Sequence, residues 1–335
     1  MLSNVAAADV NMLDPVASLK DGVRMLEVSD IMLGMDPNNV TTLNNSGVAE
    51  QLVAGAYWSS GQLRESMPHY VRSLDYAERA SRGGAGMNIS RAANMAVIAQ
   101  QQAVLGDFKA ATATAATNGP FLATLQQDQA RDHFPSMFVA VAGRFPAGVI
   151  AEQQDDPELA SRIGLELESQ LGAFKPNGDL EVQQTSITRY WVEHLAGKAA
   201  YRMGRYADAE KLERQAIASR RIWGTNATSD LRDLGELSTW LALSAARQGR
   251  TADADALIRP VVKFQKDLAA RNHGDRWLPL ELAWALYAQS LAEPSQAAAL
   301  RAQAAQLLSG LAAQIAGLHD TRQLHGWLNA ERRSE

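Results

Sequence analysis

Four glycines, Gly61, Gly106, Gly204 and Gly249, each close an apolar run of helical period, and one pattern recurs around all four. Seven residues earlier stand Ala54, Ala99, Gly197 and Ala242, all small. Two residues later come Leu63, Phe108, Tyr206 and Thr251, and five later Ser66, Ala111, Ala209 and Ala254, again all small. Small side chains at fixed offsets on both sides of a turn let two antiparallel helices approach closely. The larger residue after the turn fills the gap to the next pair. A fifth, weaker copy centres on Gly143, with Ser136 before it and Phe145 and Gly148 after. On that reading the turn glycines are 45, 37, 61 and 45 residues apart, so the middle of the chain is expected to have drifted or to carry an extra helix.

The rest of the chain agrees with an all-helical reading. Alternating strand patterns are nearly absent, and alanine, the strongest helix former, supplies nearly sixty of the 335 residues. Apolar residues recur at three and four, as in Leu195, Ala199, Met203 and Leu237, Leu241, Ala245. Asp14-Pro15, Asp36-Pro37, Asp156-Pro157 and Glu293-Pro294 place proline in first helical turns, and Asp107, Asp275 and Asp320 are candidate N-caps. These signals predict helices over 14–33, 38–60, 62–81, 88–105, 107–117, 120–132, 135–153, 157–174, 180–203, 205–222, 227–248, 250–271, 275–292, 294–316 and 320–330.

The best copy of the repeat, Leu195–Ala218 (LAGKAAYRMGRYADAEKLERQAIA), resembles the tetratricopeptide repeat, in the longer version of kinesin-light-chain-like and bacterial regulatory arrays. Asn44–Arg79, with Tyr57, Gly61, Leu63, Ser66 and Tyr70, is the next best. Thr251 departs from the pattern where an aromatic is usual, as do Ala200 and Gln102 where the first copy has Tyr57. The resemblance implies an all-α, right-handed α-solenoid of about six antiparallel helix pairs plus capping helices, forming one domain over 1–335. Within it 14–81 holds the N-terminal helices and first repeat, 88–174 divergent middle repeats, and 180–330 the C-terminal repeats and cap. Leu280–Leu308 would be a further pair turning at Ala292-Glu293-Pro294. Pro15–Leu33 and Ile315–Trp327 would cover the exposed apolar faces at the ends.

Motifs for chemistry are lacking. None of the six histidines forms a His-Glu-x-x-His face, and zero cysteines remove thiolate metal sites and catalytic cysteine, so no metal and no cofactor is expected. Gly84-Ala85-Gly86 lacks the third glycine and preceding strand of a dinucleotide loop. Gly197-Lys198 lies within a helix and is no phosphate loop. Asn39, Asn88 and Asn226 fit glycosylation sequons but read as polar helix starts, and Asp155-Asp156 and Glu166/Glu168 as an N-cap or solvated carboxylates.

What remains is a binding surface. In such arrays the first helix of each pair lines a concave groove, and this places Trp191, His194, Lys198, Tyr201 and Arg202 there, with Arg189 one turn before and Trp240, Leu243 and Arg247 from the next pair. Aromatics beside cations suit a carboxylate-bearing peptide, because arginine pairs carboxylates through two parallel hydrogen bonds. The expectation is a non-catalytic scaffold for a protein or peptide partner, in the style of bacterial signalling proteins. The alternative is an enzyme with an unmotifed site near Glu193 and His194. A net charge of −5 argues against nucleic acid, and the absence of a long apolar run against a membrane span. With no signal-peptide pattern at the N-terminus, a cytoplasmic location is expected.

Overall fold

The computed structural model describes residues 15–82, 88–117, 134–225 and 227–334. They form α1 (Pro15–Met35), α2 (Val40–Ser59), α3 (Leu63–Ser81), α4 (Asn88–Val104), α5 (108–117), α6 (Phe134–Gln153), α7 (Pro157–Ala173), α8 (Asp179–Arg202), α9 (Tyr206–Trp223), α10 (Thr228–Arg247), α11 (Thr251–Arg271), α12 (Leu278–Ala292), a 3-10 turn (Pro294–Gln296), α13 (Ala297–Ser309), α14 (Ala313–Ala316) and α15 (His319–Ser334). No strand occurs among the described residues, and the fold is an all-α array of helical hairpins. The helix expected over 120–132, the Gly84–Gly86 loop, Asp14 and Asn226 lie outside the described residues. Contacts divide the chain into two units, 1–150 and 151–335.

In the first unit α1 packs on α2, α2 on α3 and α3 on α4. Leu43, Ala49, Val53, Ala54 and Leu63 are buried between them. Gly22 lets α1 close on α2, since a Cβ there would stand 2.8 Å from Val53 Cγ2. The helix α2 begins later than Asp36-Pro37 suggested. Asn39 is its N-cap, its side chain accepting from the Thr42 N–H at 3.0 Å, while Asp36 and Pro37 lie in the preceding turn.

In the second unit α7 to α13 follow as hairpins, each helix packed on the next. Asp156 caps α7 by accepting from the Leu159 N–H at 2.9 Å, with Pro157 at the first helical position as the sequence suggested. Gly164 lets α7 lie against α8, where a Cβ would meet that of Ala196 at 2.8 Å. Asp275 sits before α12 rather than capping it by its first turn. Its carboxylate takes the Trp277 N–H at 2.9 Å and the Arg232 guanidinium at 2.7 Å. The single helix expected over 294–316 is broken at Gly310–Ala312 into α13 and α14.

The turn register holds and is corrected at one place. Gly61, Gly106, Gly204 and Gly249 all adopt the left-handed conformation, with φ of +73°, +80°, +75° and +78°. In each turn the next residue's N–H reaches back five positions, as from Gln62 to Tyr57 O at 2.9 Å and from Arg205 to Ala200 O at 2.9 Å, which closes the helix C-terminus. The small residues at offsets −7 and +5 are buried without exception. Gly143, the expected fifth turn, lies inside α6. The fifth turn centres instead on Asp155, a non-glycine residue at φ +62° whose successor Asp156 donates to Ala151 O at 2.9 Å. Asp tolerates that conformation better than most residues. Counted from Asp155, the small residues Gly148 and Ala160 fall at the same two offsets, and the turn spacings become 45, 49, 49 and 45. The middle of the chain is therefore in register.

Candidate functional site

In the second unit α8 and α10 end at such turns and α12 at Glu293-Pro294, with Glu293 at φ −118°, so residues of the three first helices recur at matching depths. The helix α10 packs beside α8 and beside α12, and the three share one face. Trp240 of α10 and Trp284 of α12 lie 44 residues apart and meet with ring centroids 5.1 Å apart and planes tilted by 37°. Tyr201 of α8 meets Trp240 edge-on at 5.5 Å, and the Lys198 ammonium lies 5.3 Å from the Trp240 ring centroid. Tyr287 extends the aromatic wall on α12, its ring 6.4 Å from Trp284.

This face is covered by α15. Trp327 inserts among the four rings, with centroids 5.5 Å from Tyr201, 6.3 Å from Trp240, 5.3 Å from Trp284 and 5.9 Å from Tyr287. Ion pairs bracket it. At one end Asp320 stands 3.5 Å from Lys198, which also holds Glu152 at 2.8 Å. At the other, Glu331 accepts from Arg247 at 2.7 Å and lies 3.4 Å from Arg301. His319 joins Asp155 at 3.0 Å, and Asp155 is also paired with Arg202. The C-terminal segment was expected as an end cap. It does more, crossing three successive first helices, because its apolar and acidic residues match the rings and cations there.

The electrostatics follow from this pairing. Burial disfavours the Lys198 charge, but Asp320, Glu152 and Glu236 hold its pKa well above the usual lysine range. Burial would raise Asp320, yet Lys198 and His319 keep it far below the usual carboxylate value. Burial opposes protonation of His194, but Glu213 and Glu236 push it up to about 10. Both ring nitrogens are committed, Nδ1 to Glu213 at 2.9 Å and Nε2 to Glu236 at 3.2 Å. At neutral pH this imidazolium is a bridging cation with no basic nitrogen to offer. Glu193 faces elsewhere, accepting from the Ser219 hydroxyl at 2.8 Å, and burial raises it to about 7.

Of the eight groove residues named from sequence, the structure brings together six: His194, Lys198, Tyr201, Arg202, Trp240 and Arg247. Arg189 is a correction, and Trp191 takes no part in the cluster under α15. Arg189 turns to α7 and donates to Leu171 O at 2.9 Å, while Trp191 is 39% exposed and touches the Tyr190 ring. Arg189, nine residues before Lys198, lies on the opposite side of α8, whereas Trp191, seven residues before it, shares the Lys198 stripe two turns nearer the helix N-terminus. Leu243, named beside them, is fully buried core. Sequence reasoning missed Trp284, Tyr287, Trp327, Asp320 and Glu331 as parts of this face. The signal for Trp284 was present, since it repeats the Trp240 slot one hairpin on.

Elsewhere, Glu50 in the first unit holds His69 and Arg72, each at 2.6 Å, bracing α2 against α3. Among the described residues no group of three or more His, Cys, Asp or Glu is placed to hold a metal ion. No described helix is long and apolar enough to cross a membrane.

The chain matches no family model and no curated protein sequence. Solved structures similar to it include two helical-repeat proteins. BtubC (BKLC) from P. vanneervenii aligns with a TM-score of 0.49 and 13% identity, covering 75% of this chain and 91% of that one. A Rap protein complexed with Competence and Sporulation Factor aligns with a TM-score of 0.46 and 12% identity, covering 95% of this chain and 85% of that one. Left-handed turns in register, buried small residues at the −7 and +5 offsets and hairpins whose first helices lie side by side make the described residues a stacked array of helical hairpins, the architecture that the resemblance to the tetratricopeptide repeat implied.

Proposed function

We propose that the chain is a non-catalytic scaffold whose second unit binds a carboxylate-bearing protein or peptide segment on the face shared by α8, α10 and α12. One observation carries this reading. Lys198, Arg202 and Arg247 line the edges of an aromatic wall made by Tyr201, Trp240, Trp284 and Tyr287, and carboxylates are what those cations hold. Rigid aromatic area flanked by guanidinium groups is the composition of an energetic interface centre. The enzymatic alternative near Glu193 and His194 loses support because the two carboxyl and imidazole groups are engaged with different partners.

The test is affinity isolation of a stoichiometric partner from source extract with the full chain and with Arg247→Glu and Lys198→Glu variants, alongside hydrolase and phosphotransferase screening. The reading expects a partner lost in both variants while helical content is kept. A reproducible turnover abolished by His194→Ala would overturn it.

A further inference from the structure

The helix α15 carries its contacts on one stripe. Asp320, Leu324, Trp327 and Glu331 follow at spacings of four, three and four, so all four project from the same side of the helix. Leu324 is fully buried, Trp327 sits among four rings, and the two acids end on Lys198 and on Arg247 and Arg301. Its other side carries Arg322, Arg332 and Arg333, all exposed. The link to α13 is short and holds Gly310 and Gly317, and no hairpin turn passes through it. Lifting α15 therefore uncovers the face without opening any hairpin.

We infer that α15 is an intramolecular ligand of the shared face, and that the outside partner is an amphipathic helix of the same chemistry, an indole bracketed on one stripe by carboxylates seven residues before and four residues after it, which must displace α15 to bind. The inference rests on the reading of that face as the partner surface. Tethering gives α15 an effective concentration on the order of millimolar, so a free helix at micromolar concentration competes poorly until α15 is weakened. Binding and release of α15 are then two sides of one equilibrium, and a partner gains only by its differential affinity for the uncovered state.

The probe is a fluorescein-labelled peptide with the sequence of residues 319–334, followed by anisotropy against the full-length protein and its full-length Trp327→Ala/Glu331→Ala variant. A second variant, Glu331→Arg, guards against loss of fold, and circular dichroism reports helix content for each. The expected result is roughly tenfold or more tighter peptide binding by both variants than by the unaltered chain. That gain should vanish when the peptide's own Trp or its last Glu is replaced by Ala. Equal, tight binding to altered and unaltered chains would overturn the inference while leaving the face as a binding surface. No binding to any of the three, with helix content intact, would overturn both.

Discussion

Replacing Trp327 by alanine should release α15 and leave the hairpins standing. Truncating a core aromatic residue costs roughly 3–5 kcal/mol when fully buried. Trp327 is half-buried, so the lower end applies, and its four ring contacts at 5.3 to 6.3 Å each contribute roughly 0.5–1.5 kcal/mol within that total rather than on top of it. A loss of about 3 kcal/mol raises the open population by about two powers of ten, since about 1.4 kcal/mol corresponds to tenfold. Amide hydrogen exchange resolves where the loss falls. Amides of 322–334 should exchange up to about a hundredfold faster, while those of α10 and α12 change by no more than a few fold. Equal acceleration across α10, α12 and α15 would refute the reasoning, because it would make α15 part of one cooperative core. So would unchanged exchange in 322–334.

Four further outcomes follow from the packing and the charges. Gly164→Ala should destabilise by about 1–3 kcal/mol in urea unfolding, since the new Cβ meets Ala196 at 2.8 Å, whereas Gly55→Ala, with nothing within 4 Å, should stabilise by up to about 1 kcal/mol. Gly204→Ala should cost about 1–2 kcal/mol because its φ is +75°. Arg232→Ala should cost about 3–5 kcal/mol by the same assay, leaving Asp275 buried beside Glu281 with no guanidinium. Glu193 is raised to about 7, so the folded state holds its proton more tightly than the unfolded chain. Its stabilising contribution is complete below pH 4.5 and is lost as pH rises through about 7. Glu193→Gln should therefore flatten the fall in melting temperature between pH 5 and pH 8, and an unchanged slope would contradict the assignment.

The architecture was legible because it is written in local terms. A left-handed glycine and small residues at fixed offsets are demands of the backbone and of helix separation, and both survive divergence of everything else. The error at Gly143 shows the limit of that logic. Glycine inside a helix is tolerated at about 1 kcal/mol, and aspartate can take a left-handed turn, so the glycine pattern pointed to the wrong place. Once Asp155 is taken as the turn, the spacings even out. The groove cations were legible by helical period from Lys198, Tyr201 and Arg202. Arg189 was misplaced, because nine residues before Lys198 is two and a half turns and sets it on the opposite side of the helix. The covering of the face by α15 was the least legible feature. It depends on pairs such as Arg247 with Glu331, 84 residues apart, which no periodicity encodes.

The central claim is that α15 lies on the shared face of α8, α10 and α12 of its own chain. Placing the photo-crosslinker p-benzoylphenylalanine at position 327, irradiating and mapping the products by peptide mass spectrometry tests it directly. The account predicts intramolecular crosslinks to the segments holding Tyr201, Trp240, Trp284 and Tyr287. Crosslinks to the outer helices α9 and α11, or only between separate copies of the chain, would contradict it.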